Sequence, residues 1–465
     1  MRLRWSTCRQ WSTLFWWAGV FGLLSALSLL VPPIQSPDEN AHLMRAEMLS
    51  HGQWRLEAAP EGTPAEFAGL GGWVDKNLVF YNDAFMAIIV NPDGSLPAQV
   101  RKSTAEWGWS HSEIFYPAPG TGYYFPLVYF PQALALWIGR TVGFGVAASY
   151  QFARSCSLLV ICLLVAVAWR RWQPNAVVIV LVTLPMSLFQ AVSPTLDGVT
   201  TAMALLVLSD FCVGTQNLSQ ASEKEPPWSL YVCLFFLVTS RVHLLPLLLL
   251  PIFLAWKRRS AVAWTFTGLL VLLSMAWIGF AVAATTDVRV VREHSTGDLV
   301  WLYASHPQEF FLILWNTLRH HELPDFYARS FIGILGWLDV PLKYPAYQII
   351  GTGLLLSAAA SLSWRDWRAN LPSRLILAGA ALASSFLVFL ALALTWNPYP
   401  ALIIEGVQGR YFIVPALIVG YALSGPHPNQ RPARPPWEFW LAALVALVSL
   451  TALAQALIHR YHFWP

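Results

Sequence analysis

Charge is what this chain has least of. Asp, Glu, Lys and Arg make up 12% of its 465 residues, about half the roughly 25% of a soluble domain. Hydrophobic residues reach 56%. That balance excludes a water-soluble globular enzyme, and it equally excludes a disordered chain. A basic excess is also lacking. The 29 Lys and Arg stand against 25 Asp and Glu, a net charge of +4, which leaves no electrostatic footprint for nucleic acid. Cysteines are few. Cys8, Cys156, Cys162, Cys212 and Cys233 all sit in or beside apolar runs, so neither a disulfide framework nor a zinc site follows, and they read as small apolar packers. The glycine fingerprint of a soluble nucleotide-binding unit is missing. So is any fixed-period repeat of the kind that inverted-repeat transporters carry.

What is abundant is tryptophan, with 24 residues, and proline, with 32. Trp favours the bilayer interface, where its ring is buried and its N–H stays wet. Pro survives in membrane helices because neighbours satisfy the freed carbonyls. A polytopic membrane protein is the reading these imply. The first apolar run, 14–31, follows Arg2, Arg4 and Arg9 and ends in Val31-Pro32-Pro33 without a clean cleavage site, so it reads as an uncleaved first helix rather than a signal peptide. Further spans are expected at 149–169, 175–191, 199–214, 228–239, 243–256, 262–284, 342–363, 375–396, 412–423 and 439–458, giving about eleven.

Positive residues set the sidedness. Arg2, Arg4 and Arg9 place the N-terminus in the cytoplasm. Arg170-Arg171, Lys257-Arg258-Arg259, Arg365 with Arg368, and Arg431 with Arg434 then all face inside, provided that 123–140 does not cross. That stretch carries Tyr123, Tyr124, Tyr129 and Trp137 with Pro126 and Pro131, which suits an interfacial segment. The chain is expected to form a single all-α transmembrane domain over 1–465. It has a first outer loop at 32–148 with short interfacial helices, a second outer segment at 285–344 and a third outer loop at 397–410. The first loop has too little apolar periodicity for a core of its own. Any chemistry belongs on the outer face.

Ionisable groups near the hydrocarbon cost about 2.5–3.5 kcal/mol or more each, so those present need a reason. Asp38, His42 and Arg45 fall at i, i+4 and i+7, on one face of a helix that Ser36 or Asp38 can cap. A general base with supporting groups is one reading; an ordinary capped interfacial helix is the plainer one, and spacing alone favours it. Asp197, in a short outer turn at 193–198, has the same two readings. Arg241 and His243 interrupt an apolar stretch, where an Arg either snorkels or neutralises an anion. Asp339 lies in a Gly/Trp/Pro-rich junction. Gln408, Arg410 and Tyr411 are interleaved with Gly406 and Gly409 at the mouth of a span, as a phosphate site or an interfacial anchor would be. His320-His321-Glu322 reads as a polar loop. Metal ligand spacing is lacking, although one or two carboxylates holding Mg²⁺ or Mn²⁺ leave no signature.

Three of these segments carry a family resemblance. Pro33-Ile34-Gln35-Ser36-Pro37-Asp38-Glu39-Asn40-Ala41-His42 with Arg45-Ala46 resembles the P-x-Q-x-P-D-E-x-x-H…R-A hallmark of a bacterial membrane family, "domain of unknown function 2142". Residues 333–341 resemble its G-x-L-G-W-x-D segment, and 406–412 its G-x-Q-G-R-Y-F segment. The stretch 123–131 follows its P-P-L-Y-Y pattern loosely, and Arg241 stands where Lys is frequent. The family is grouped with GT-C glycosyltransferases. The resemblance therefore implies a many-helix GT-C-like bundle, a polyprenyl-phosphate-linked sugar donor and inversion at the anomeric carbon. It maps the catalytic acid to Asp38, with Glu39 adjacent, and a second outer acid to Asp197. His42, Arg45, Arg241, Asp339, Gln408, Arg410 and Tyr411 are then expected to position substrate or phosphate. The acceptor is expected to be a cell-envelope molecule outside the bacterial inner membrane. Two other classes stay open: a flippase for a lipid-linked glycan, and a non-catalytic membrane assembly partner.

Overall fold

A computed structural model describes residues 2–64, 69–90, 98–219, 226–285, 294–362, 367–368, 370–423 and 436–462. Arg365, Arg431 and Arg434, named above as topology markers, lie outside the described residues, as do 65–68 and 91–97 of the first outer loop and 286–293 of the second outer segment. Helix α1 (Arg2–Ser28) leads into α2 (Glu39–Ser50). A three-stranded antiparallel sheet follows, with β1 (Glu57–Ala58), β2 (Leu70–Asp75) and β3 (Glu113–Pro117) in that order. Between β2 and β3 lie α3 (Lys76–Val90) and α4 (Ala98–Glu106). Two 3-10 turns, Pro119–Tyr123 and Pro126–Tyr129, bring the chain to α5 (Phe130–Thr141). Then come α6 (Val146–Arg171), α7 (Ala176–Val182), α8 (Pro185–Ala191), α9 (Leu196–Ser219) and α10 (Trp228–Ser240). A 3-10 stretch, Val242–Leu248, precedes α11 (Leu249–Arg258) and α12 (Ala261–Ala284). Helices α13 (Thr296–Ser305), α14 (Pro307–Arg319) and α15 (Leu323–Gly333) are followed by a hairpin, β4 (Ile334–Leu335) and β5 (Val340–Pro341). Last are α16 (Tyr344–Ser361), α17 (Leu371–Thr395), a 3-10 turn at Gly409–Phe412, α18 (Ile413–Leu423) and α19 (Pro436–Tyr461).

The chain is thus a mostly helical membrane protein. Among the described residues, five helices are long and apolar enough to cross a bilayer: Val146–Arg171, Leu196–Leu218, Ala261–Ala284, Leu371–Thr395 and Trp437–Tyr461. Shorter apolar helices run over Phe15–Ser28, Trp228–Ser240 and Gly409–Leu423. Helix α9 is 78% buried over its most apolar stretch, against 22% for α12. So α9 is the central post, packed on α6 and α10, while α12 turns Phe266, Leu269, Leu272 and Leu273 outward, as a lipid-facing helix does.

Two expected spans are not single helices. The run 175–191 divides into α7 and α8, because Leu184 is extended ahead of Pro185; proline lacks an N–H and disfavours helix in the residue before it. The run 243–256 begins as 3-10 helix around Pro246. The stretch 123–140 is two 3-10 turns and the 12-residue α5. Twelve residues rise about 18 Å, short of the roughly 30 Å hydrocarbon core. The helix instead packs on α2 and α6.

The all-α expectation also omits the sheet. Strand β2 opens Leu70-Gly71-Gly72 and alternates poorly, so periodicity could not reveal it. Gly71 is needed there, since a Cβ would fall 2.1 Å from the Tyr116 carbonyl oxygen across the strand pair. The sheet extends the floor of the first loop beside α2.

One ion pair ties the central helices together. Arg171 at the end of α6 pairs with Asp210 of α9, and donates to Ser229 Oγ of α10 at 2.7 Å. Ser229 Oγ in turn donates to Asp210 Oδ2 at 2.6 Å. Asp210 is fully buried while the Arg171 side chain is 29% exposed, so breaking the pair leaves a partly hydrated cation. Asp210→Ala is expected to destabilise the protein by about 2–3 kcal/mol, below the 3–5 of a fully buried pair. Thermal melting of the detergent-solubilised protein checks this; an unchanged midpoint would show that the three helices do not depend on the pair.

Candidate functional site

The loop after α1 is shaped by its own backbone. Ile34 and Asp38 adopt left-handed conformations, with φ of 64° and 62°. Aspartate tolerates this region, but a β-branched residue enters it only where its surroundings impose it. Glu39 supplies the constraint. Its carboxylate accepts the Ile34 N–H at 3.2 Å, the Ser36 N–H at 2.9 Å and the Tyr150 hydroxyl. Trp337 adds a second hold, its Nε1 donating to the Ile34 carbonyl at 2.9 Å. The junction at 333–341 therefore clamps the loop at 32–39. Asp38 occupies the N-cap of α2 but makes no side-chain cap bond. Its carboxylate leaves the helix and meets Arg410 Nη2 at 2.8 Å.

Arg410 is aimed by the residue before it. A Cβ on Gly409 would fall 2.1 Å from Phe331 N and 2.3 Å from the Tyr327 carbonyl oxygen. The Gly409 N–H donates to Ser330 Oγ at 2.8 Å. Glycine thus seats this turn against α15 and turns Arg410 inward. Arg410 Nη1 reaches Asp197 Oδ2 at 3.3 Å and the Pro37 carbonyl at 3.4 Å. Its guanidinium lies 5.3 Å from the Tyr411 ring centroid. Asp197, in the first turn of α9, also pairs with Arg241 and accepts from Gln190 Nε2 at 3.3 Å. Arg241, at the end of α10, stacks 5.4 Å over the Tyr124 ring and donates to its hydroxyl at 3.4 Å. His42 lies one turn along α2, its ring 5.9 Å from that of Tyr124 and its Nδ1 2.9 Å from the Tyr129 hydroxyl.

Six expected site residues therefore converge: Asp38, His42, Asp197, Arg241, Arg410 and Tyr411. They are joined by Tyr124, Tyr129 and Gln190. The two tyrosines read from sequence as interfacial aromatics; only the loose P-P-L-Y-Y match marked their stretch. Gln190 carried no sequence signal.

A family description, "Predicted membrane protein (DUF2142)", matches residues 21–419. The chain belongs to that family. Every residue of the converging set lies within the span shared with DUF2142. No curated protein and no solved structure matches the chain.

Four residues expected at the site of this DUF2142 protein are placed elsewhere. Glu39 is buried against backbone and Tyr150, on the far side of the loop from Arg410. Arg45 donates to the carbonyls of Gln53 at 2.8 Å and Trp54 at 2.6 Å, and so closes the end of α2. Asp339 accepts the Trp337 N–H at 2.9 Å and pairs with Arg460 at 3.1 Å. It fastens the hairpin turn to the C-terminal helix. Gln408 makes no side-chain hydrogen bond to the set among the described residues; it precedes the 3-10 turn, and its carbonyl accepts the Tyr411 N–H at 3.1 Å.

The electrostatics single out Asp38. Two carboxylates face two guanidinia, so the quartet is charge-balanced. The Asp38 side chain is 47% exposed, while Arg410 is 4% and Asp197 12% exposed. Asp38 is the one acid that both belongs to the quartet and is open to a substrate. A resident Mg²⁺ or Mn²⁺ fits this arrangement poorly. Both carboxylates already neutralise arginines, and among the described residues no three His, Cys, Asp or Glu gather as ligands. His42 is neutral at physiological pH. Burial lowers its pKa to about 4, against the opposing pull of Asp38.

The folded value lies below the unfolded 6.5, so the unfolded chain binds a proton that the folded one refuses. Stability is therefore full above pH 6.5 and falls as pH drops towards 4, by up to about 3 kcal/mol. Unfolding midpoints measured across that window should fall less in His42→Gln than in the parent protein. Equal slopes would mean that His42 titrates normally.

Proposed function

We propose that the protein is an inverting glycosyltransferase that uses a polyprenyl-phosphate-linked sugar and glycosylates an acceptor outside the bacterial inner membrane. In this reading the apolar segments form a GT-C-like bundle of about eleven membrane passages. The N-terminus and the basic clusters are cytoplasmic, and the Asp38 quartet faces outward. The observation that carries the reading is the open carboxylate of Asp38, held by a buried arginine that is itself shared with a second acid.

The chemistry follows from that geometry. Asp38 accepts the proton of the acceptor hydroxyl. The hydroxyl oxygen attacks the anomeric carbon from the face opposite the lipid phosphate, a new C–O bond forms, and the bond from carbon to phosphate oxygen breaks. The electron pair leaves with the lipid phosphate, and inversion results. Arg410 steadies charge as it develops near the quartet. Asp197 and Tyr124 hold Arg241 and Arg410 in register. A lipid-borne donor suits a membrane protein whose sequence carries no nucleotide-binding fingerprint.

Asp38→Asn keeps the size of the side chain and removes the base. It is expected to reduce transfer from a polyprenyl-phosphate sugar by about 10²–10⁴-fold. The rate of glycosylated product formation in proteoliposomes measures it. Full transfer by the variant sinks the base assignment, and lipid-linked sugar moved across the membrane without transfer by the parent protein favours the flippase reading.

A further inference from the structure

Beside the quartet lies a cavity of about 220 Å³. Its lining includes Trp54, Arg55, Tyr124, Trp277 and Phe280, together with Arg45. Tyr124 is shared: it walls the cavity and also takes the hydrogen bond from Arg241. The cavity sits at the end of α12, the most lipid-exposed of the long helices, whose Phe280, Ala284 and Thr285 form one side. The first loop forms the other side, with Trp54, Arg55 and Leu56.

The charge balance here differs from that of the quartet. Among the described residues no acidic side chain lines the cavity, while two arginines do. Arg45 is engaged with two carbonyls and keeps its charge. Arg55 is exposed and rests 5.0 Å over the Phe280 ring, and no carboxylate among the described residues pairs with it. In the quartet each guanidinium already meets a carboxylate, so a phosphate arriving there must displace one. In the cavity no described carboxylate meets the two guanidinia, and a guanidinium held on an aromatic face is poised to form a bidentate phosphate contact.

We infer that this cavity binds the phosphate group of a membrane lipid, with Arg55 as its principal contact and Arg45 as a fixed second charge. The aromatic wall of Trp54, Trp277 and Phe280 covers the apolar part of the headgroup region, and the lipid chain runs along α12 into the bilayer. Identifying that lipid as the sugar donor or its released phosphate rests on the proposed transferase activity. Tyr124, which walls the cavity, accepts a hydrogen bond from Arg241 of the quartet, so a sugar carried by the phosphate can reach the quartet.

The test uses the full chain in detergent with radiolabelled farnesyl phosphate as probe, and inorganic phosphate as competitor. Arg55→Gln is expected to weaken farnesyl phosphate binding about tenfold, and Arg55→Lys to recover only part of it, since Lys restores the charge but neither the bidentate fork nor the stacking. Phe280→Leu, which removes the stacking face but no charge, should weaken binding severalfold. Unchanged affinity in Arg55→Gln with loss in Arg410→Gln overturns the cavity and leaves the transferase reading standing. Binding that depends on Arg55 in a protein that transfers no sugar keeps the cavity as a lipid-phosphate site and removes the transferase reading. Inorganic phosphate competing as well as farnesyl phosphate overturns the lipid source.

Discussion

Two buried arginines need two acids, and most of the site follows from that requirement. Arg410 and Arg241 are too deeply placed for water to neutralise them, and an unpaired buried charge would cost several kcal/mol. Asp197 meets both, and Asp38 meets Arg410. The bond between Asp38 and Arg410 joins residues 372 positions apart. It ties the loop after α1 to the turn before α18 across the central helix α9. The same contacts that make the bundle close also leave one acid, Asp38, partly exposed. Arginine suits this role because its planar fork can serve two carboxylates at once, which a lysine does with less geometric control.

Adjacent acids are separated by backbone conformation. Asp38 and Glu39 are neighbours, yet one faces Arg410 and the other is spent on the Ile34 and Ser36 N–H groups. The left-handed turns at Ile34 and Asp38 make that division. Glu39 satisfies donors that the loop would otherwise bury unpaired. Asp38, at the N-cap, makes no side-chain cap bond and turns to Arg410 instead. Trp337 supports the same turn from the other side. The residues at 333–341 thus act on the candidate chemistry through the shape of the loop, not by contact with a substrate.

Long apolar runs gave away most of the helices in the sequence, because a spanning helix has no other way to satisfy its backbone in lipid. Charge placed Asp38, Asp197, Arg241 and Arg410 on the short list, because each is expensive near hydrocarbon. What the chain hid was direction. Arg45 shares a helical face with Asp38 and His42, but its long side chain reaches past them to the carbonyls of Gln53 and Trp54. Asp339 reads like a site acid, but its partner Arg460 comes from a helix 121 residues later. Tyr124, Tyr129 and Gln190 are ordinary residues whose meaning comes from what they touch. The sheet escaped because its strands are short and the central one carries two glycines, and the broken run at 175–191 because hydropathy does not register a single Pro185.

The quartet has a consequence for the proposed reaction. While Asp38 is ionised, Arg410 is shared between two carboxylates and has little attraction left for a further anion. When Asp38 takes the acceptor proton, its charge is lost and its hold on Arg410 weakens. Asp197 alone cannot neutralise both Arg410 and Arg241. The quartet thus gains one net positive charge at the moment when the bond to phosphate breaks and negative charge builds on the leaving oxygen. In the proposed reaction Arg410 would couple proton uptake to leaving-group stabilisation. The stabilisation is differential, since it is withheld from the ground state and available in the transition state, as catalysis requires.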